Sequence, residues 1–211
     1  MALEPAARPK LLMASRNKGK LLELRKLLEE IPVDILTAAD FPWLPEVAED
    51  GQTFQENAAR KAQETARGSG ILTIADDSGL EVDALGGQPG IHSARFAGEP
   101  ADDTRNNRKL LELLRDVPPS QRTARFICTI AVATPAGELY FARGACEGII
   151  LEEPRGSGGF GYDPLFYIPY LQKTFAELSV EEKNPVSHRG RALQQAVTII
   201  RQLIKGEDKN D

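Results

Sequence analysis

Ile71-Leu72-Thr73-Ile74-Ala75-Asp76-Asp77-Ser78-Gly79-Leu80 joins an apolar run directly to two adjacent carboxylates. Ile71 to Ala75 is short, rich in β-branched residues and preceded by Gly68-Ser69-Gly70, which predicts a buried strand. Acidic residues at the end of such a strand stand where α/β sheets place their ligands. Two neighbouring carboxylates repel each other. A hard divalent cation offsets that repulsion and keeps part of its water shell for a phosphate group. The same Asp-Asp-Ser-Gly composition also fits a solvated turn. Both readings stand on this stretch alone.

Upstream, Lys10 to Ala14 reads as a short strand and Ser15-Arg16-Asn17 as a turn. Lys18 to Glu30 sets Leu21, Leu24, Leu27 and Leu28 on one helical face, and Pro32 stops that helix. Val33 to Leu36 predicts a second strand, followed by a proline-rich acidic loop from Asp40 to Gly51. Thr53 and Glu56 have capping-box spacing, so a helix starts there and runs to about Arg67, with Gly68 as its C-terminal stop. Downstream, Leu80 to Leu85 continues as a strand until Gly86-Gly87-Gln88-Pro89-Gly90 breaks it. Asp102 to Arg115 is helical, and Phe126, Cys128, Ile130 and Val132 alternate as a half-buried strand does. Glu138 to Ala142 and Gly144 to Leu151 predict a meander, and a final helix starts after Ser187. Mixed βαβ and hairpin segments predict an α/β protein with a mixed sheet. The chain reads as one domain over residues 1–211, with loose ends at 1–9 and 206–211.

The 211 residues suffice for a substantial core. A net charge of −5 argues against nucleic acid as the main partner, and no apolar stretch approaches a membrane span. No signal-peptide pattern opens the chain, and Cys128 and Cys146 lack metal-ligand spacing; they read as reduced core thiols of a cytoplasmic protein, with a disulfide not excluded.

Three polar clusters remain. Ser15-Arg16-Asn17-Lys18-Gly19-Lys20 lies between strand and helix, where backbone N–H groups, the hydroxyl, the amide and the ammonium suit phosphate oxygens. It is not a Walker A loop, because Leu21 follows Gly-Lys. A solvated, capped helix start is the plainer alternative, weakened because lysine there opposes the macrodipole. Gly156-Ser157-Gly158-Gly159-Phe160-Gly161 matches the letters of a dinucleotide fingerprint, but no helix follows Tyr162-Asp163-Pro164. A loop bringing Phe160 and Tyr162 to a flat base, with Asp163 at its edge, competes with a glycine-rich connection carrying core aromatics. Ser187-His188-Arg189, with Lys183 before it, offers donors at a helix start; a capping or surface histidine is the alternative. His92 reads as structural.

Together and in this order these motifs resemble the inosine triphosphate pyrophosphatase family. The likeness spans Leu11 to Leu193 and rests on Ser15-x-Asn17-x-x-Lys20, Thr53-Phe54-x-Glu56-Asn57-Ala58 and Ala75-Asp76-Asp77-Ser78-Gly79-Leu80. Leu85 to Arg95, Gly159 to Pro164 and Ser187 to Gly190 complete it, and Ser15-Arg16 in place of Thr-Gly is the one departure. The resemblance implies an elongated two-lobed fold around a mixed β-sheet with flanking helices and a nucleotide cleft between the lobes. It implies Mg²⁺-dependent hydrolysis of ITP, dITP and XTP to monophosphate and pyrophosphate by a cytoplasmic homodimer. Carried over by position, Ser15, Arg16, Asn17, Lys18, Gly19 and Lys20 hold the triphosphate, and Glu49 and Asp77 hold the metal. Asp77 also accepts a proton, and Ser78 touches substrate. Phe160, Gly161, Tyr162, Asp163, Lys183, His188 and Arg189 surround the nucleoside. Glu46 and Asp50 compete with Glu49 for the metal role.

His188 and Arg189 can donate to the 6-oxo group of hypoxanthine or xanthine, where adenine would present a donor to a donor. Two rivals remain: a pyrophosphatase for pyrimidine or modified-base triphosphates, and a nucleotide-binding module that turns nothing over.

Overall fold

The computed structural model describes residues 8–29 and 31–207. Seven strands form one sheet in the order β2-β1-β3-β4-β5-β6-β7. β1 (Lys10–Met13) runs parallel to both β2 (Asp34–Thr37) and β3 (Thr73–Val82). β4 (Thr123–Ala133), β5 (Leu139–Ile150), β6 (Phe166–Ile168) and β7 (Lys173–Thr174) continue the sheet antiparallel. The mixed α/β sheet expected from the sequence is present.

α1 (Lys18–Leu28) starts where the Asn17 side chain accepts from Lys20 N at 3.1 Å. Leu24 and Leu28 bury fully, each contributing about 1.5–3 kcal/mol. α2 (Phe54–Ser69) opens with Thr53 Oγ1 accepting from Glu56 N, while Glu56 Oε2 accepts from Gln52 N one residue before the expected box partner. The helix passes through Gly68 and ends at Gly70, whose φ of 70° is left-handed. Gly68 instead makes room for Leu44, whose Cδ2 would lie 2.6 Å from an added Cβ. Ala58, Ala62 and Ala66 recur every four residues and pack on Ala75, Ala131 and Ala133.

Two strand expectations are corrected. β3 does not end at the acidic pair but runs through Asp76-Asp77-Ser78-Gly79, because β4 pairs with it residue by residue from Thr73↔Ala133 to Val82↔Ala124. β5 is one twelve-residue strand rather than two segments of a meander. Gly144 does not break it; an added Cβ there would lie 2.1 Å from His188 O, so the glycine admits a helix backbone against the sheet. β4 is also buried on both faces near its end, under α2 on one side and α5 (His188–Glu207) on the other.

α3 (Asp103–Leu113) is capped by Asp102, and the short α4 (Val180–Lys183) by Ser179. The Ser187 hydroxyl accepts from Gly190 N at 3.0 Å, the expected start of α5. Of the ends expected to be loose, residues 1–7 and 208–211 lie outside the described residues, as does residue 30; α5 continues through Gly206 and Glu207.

The core divides into two main clusters. One joins α1 and α5 to β1 and the adjoining ends of β3 and β4. The other packs Leu80, Val82, Phe126, Phe166 and Phe175 with the face of α3. Cys128 and Cys146 are free and buried, and burial pushes their thiols up to about 12 and about 11. They are core thiols, as the sequence suggested.

Candidate active site

The site lies where the sheet changes from parallel to antiparallel. Strand pairing of β1 with β3 ends at Met13↔Ile74, while β4 continues alongside β3 for eight more residues, from Ala75↔Ala131 to Val82↔Ala124. From Asp76 onward one edge of β3 is therefore free of β1. Successive strand residues point to opposite faces. Asp76 and Ser78 accordingly meet α1 and α5, and Asp77 meets α2. The repulsion expected between the two carboxylates is thus relieved by the pleat and by separate partners.

Asp76 is the hub of one face. Its Oδ2 lies 3.1 Å from Lys20 Nζ and 3.3 Å from Arg189 Nε, and its Oδ1 is buried without a hydrogen-bond partner. Burial alone would raise its pKa, but Lys20, Arg189 and Lys61 hold it well below the ordinary carboxylate range. Arg189, 2% exposed, donates through Nη2 to Ser78 Oγ at 3.0 Å and through Nη1 to Glu23 Oε2. Glu23 also takes Lys183, whose Nζ lies 2.9 Å from Oε1. Burial acts against the charged form of Glu23, and Arg189 and Lys183 outweigh it, lowering the pKa. Lys183 completes the chain with Asp163 Oδ2 at 2.6 Å.

Asp77 behaves oppositely. Burial dominates and raises its pKa despite Lys61, Lys20 and the 3.0 Å bond from Asn57 Nδ2 to its Oδ2. A carboxyl group with a raised pKa is a stronger base once ionised. Lys61 Nζ donates to Glu49 Oε1 and to the Asp76 carbonyl, each at 2.6 Å. Burial penalises that ammonium, but Asp76, Glu49 and Asp77 more than compensate and raise its pKa.

A cavity of about 120 Å³ gathers most of the residues selected from sequence. Asn17, Lys20, Glu49, Asp77 and Ser78 line it together with Phe160 to Asp163, Lys183, His188 and Arg189. Ser15 and Arg16 face an adjoining cavity of about 250 Å³, shared with Asn17, Lys20, Glu49 and Lys61. Lys18 and Gly19 line neither; Gly19 backs the Phe160 ring, whose Cδ1 would lie 2.6 Å from an added Cβ. Among the three acidic candidates of the loop, Glu46 pairs with Arg16 at 3.6 Å and Asp50 with Arg60, while Glu49 faces the cavity beside Asp77. A roomier cavity of about 610 Å³ lies beside Thr53 and Gly86 to Ile91, but the buried ion pairs do not converge there.

The Gly159-Phe160-Gly161 loop is a turn, not the start of a nucleotide-binding helix. Tyr162 belongs to the core; its hydroxyl donates to Ser93 O at 2.8 Å, which leaves Phe160 as the less buried ring of the loop. Asp163 is 3% exposed and accepts from Phe160 N at 3.0 Å, so it orders the loop and anchors Lys183. His188 stacks on Phe126 with centroids 4.7 Å apart and planes 10° apart. Burial, Arg189 and Lys183 push its pKa well below the usual value, so it is neutral at pH 7, and its Nδ1 has no partner.

Sequence reasoning missed Glu23 and Lys61 and assigned no role to Asn57; Asp76 entered as half of the carboxylate pair that suggested a cation, whereas the structure gives it to Lys20 and Arg189. Asn57 and Lys61 share one face of α2 at i,i+4 spacing, a signal that the capped helix made available. Glu23 has only a faint one, sitting next to Leu24 on the apolar side of α1.

Fold and site define a mixed-sheet α/β protein with a charged cavity at the parallel-to-antiparallel switch, phosphate-suited on one side and aromatic on the other. Comparison with known proteins narrows this class: residues 11–199 match the model of the Ham1 family, and the chain belongs to that family. It is 56% identical over 194 residues to a dITP/XTP pyrophosphatase of Desulforamulus reducens, covering 92% of this chain and 96% of the relative. A dITP/XTP pyrophosphatase of Geobacter sulfurreducens is 54% identical over 87% of this chain and 92% of its own. The solved structure of a HAM1 protein from Coxiella burnetii superposes with a TM-score of 0.84 at 41% identity, covering 92% of this chain and 99% of that one.

Proposed function

We propose that this chain is a Mg²⁺-dependent nucleoside-triphosphate diphosphatase that hydrolyses dITP, XTP and ITP to the monophosphate and pyrophosphate. The observation that carries the reading is the meeting of a buried carboxylate, Asp77, with a phosphate-suited helix start and a donor-rich aromatic wall in one cavity. The names of the relatives at 54% and 56% identity support the same reaction.

Asn17 and Lys20 stand at the α1 N-terminus, where amide N–H groups and the ammonium suit phosphate oxygens. Among the described residues no cluster of three or more His, Cys, Asp or Glu side chains could hold a metal. Glu49 and Asp77 nevertheless line one cavity, and Mg²⁺ commonly takes one or two carboxylates together with substrate phosphates. The donor set fits on those terms, and Glu49 and Asp77 would hold the ion. Bound there, Mg²⁺ would neutralise charge on the pyrophosphate leaving group. Asp77, which accepts from Asn57, would take a proton from the water that attacks the α-phosphorus.

On the aromatic wall, Phe160 supplies a flat face and Lys183 and Arg189 supply only donors. A 6-oxo purine accepts from them, whereas adenine's 6-amino group does not. Mismatches of this kind between a base and buried donors can reach about 10⁴-fold in discrimination. The two main core clusters are read as the two lobes of the cleft. The homodimer and the cytoplasmic setting belong to the same proposal; among the described residues no helix is long and apolar enough to cross a membrane.

The test is pyrophosphate release with Mg²⁺ from XTP and dITP, measured beside dATP, dGTP and dUTP. At least about 10²-fold higher kcat/KM for XTP and dITP is expected. Preference for dUTP would favour a pyrimidine enzyme, and binding without release would leave only a nucleotide-binding module.

A further inference from the structure

We propose that Glu23 is a positioning residue that couples the phosphate-binding helix to the base-recognising wall and so sets the purine discrimination of this site. The inference rests on the pyrophosphatase reading above and adds to it a residue that itself need not touch substrate.

Glu23 lies one helical turn beyond Lys20 on α1 and is 5% exposed. Its two carboxylate oxygens are divided between two cations: Oε1 faces Lys183 at 2.9 Å and Oε2 accepts from Arg189. Each cation has one further buried anchor, Asp163 for Lys183 and Asp76 for Arg189. Among the described residues these three carboxylates and two cations therefore form an open chain in which Glu23 is the only ion-pair link between its two halves, Asp163–Lys183 and Arg189–Asp76. Both cations lie beneath the Phe160 ring, with Lys183 Nζ 5.1 Å and Arg189 Cζ 5.6 Å from its centroid. The same helix touches that ring at Gly19. α1 thus presents Asn17 and Lys20 to the phosphate side and Gly19 and Glu23 to the base side, and a shift of the helix moves both.

With Glu23 present, the positions of Lys183 and Arg189 relative to each other are fixed, and so is the spacing of the donors a purine meets. Without the charge, each cation keeps one buried anchor but the two halves are no longer tied. Discrimination between bases should then fall, while phosphate affinity, which depends on Asn17 and Lys20, should be spared.

The experiment compares wild type, Glu23→Gln and Glu23→Asp. Readouts are kcat/KM for XTP, dITP and dATP, and the inhibition constant of inorganic tripolyphosphate, which probes the phosphate side alone. For a folded Glu23→Gln we expect the dITP/dATP ratio of kcat/KM to fall at least tenfold, with tripolyphosphate inhibition within about twofold of wild type. Glu23→Asp, which keeps the charge at shorter reach, should recover part of the ratio; it also supplies the test if the glutamine variant fails to fold, since its ratio should then lie measurably below wild type. An unchanged ratio in a folded variant overturns the inference. So does equal loss on dITP, dATP and tripolyphosphate, which is what a merely structural defect produces. Wild type that releases no pyrophosphate from XTP or dITP would instead refute the pyrophosphatase reading.

Discussion

Asp76→Asn and Asp77→Asn should change stability in different directions although the residues are adjacent. Asp76 is 1% exposed and shared by Lys20 and Arg189, so neutralising it leaves the buried Arg189 and the partly buried Lys20 short of an anion. Breaking a buried ion pair by removing one partner costs about 3–5 kcal/mol. For a chain of this size each kcal/mol moves the melting temperature by roughly 2–4 °C, so a fall of about 6–20 °C is expected at pH 7. Asp77 has its pKa raised, mainly by burial, so its charged form opposes folding. Asparagine removes that charge, keeps the shape and can still accept from Asn57 Nδ2. Its melting temperature should equal or exceed that of wild type at pH 7, while kcat falls by about 10² or more. The pH dependence separates the two further. Asp76 has a folded pKa below its unfolded value near 4, so its stabilisation is full above about pH 4 and is lost as pH falls toward the folded pKa. The proton on Asp77 favours the fold below about pH 4, and that contribution is lost as pH rises through its raised folded pKa. Any advantage of Asp77→Asn should therefore be greatest at neutral pH and vanish in acid. Thermal unfolding of both variants between about pH 2 and 8 is the assay. Asp76→Asn melting within 2 °C of wild type, or Asp77→Asn falling as far as Asp76→Asn, would refute this account of the pair.

Lys20→Ala should raise KM for XTP and also lower stability by roughly 1.5–3 kcal/mol, because the side chain is bonded to buried Asp76 and is not a solvated helix face; steady-state kinetics and denaturant unfolding measure the two effects. Gly190→Ala places a Cβ 1.7 Å from Asn184 O at the start of α5 and should cost at least about 1–3 kcal/mol, seen as a lowered denaturant midpoint.

What the sequence revealed followed from local chemistry. Asn17, Thr53, Asp102 and Ser187 cap helices within three or four residues of themselves, so their helices were legible. The Asp-Asp-Ser-Gly segment was not legible as strand interior, since its residues carry no strand propensity and the pairing that holds them comes from β4, some fifty residues away. Gly68 reads as a helix stop and Gly144 as the start of a new segment because a glycine required by a neighbouring chain looks the same in sequence as one required by a turn. The site was found through its motifs, whereas Glu23 and Lys61 stand in ordinary helical sequence. Their importance arises from partners 160 and 15 positions away: Glu23 reaches Lys183, and Lys61 the Asp76 carbonyl. Arg189 was recognised as a donor, but its burial between Asp76 and Glu23 is a property of the packed structure.

In the proposed reaction water attacks the α-phosphorus in this cavity. Hydrolysis of XTP with Mg²⁺ in ¹⁸O-labelled water, with both products analysed by mass spectrometry, tests it most directly. The account predicts XMP and pyrophosphate in equal amounts, with the label in XMP and none in pyrophosphate. Label in pyrophosphate, or release of XDP and orthophosphate, would contradict it.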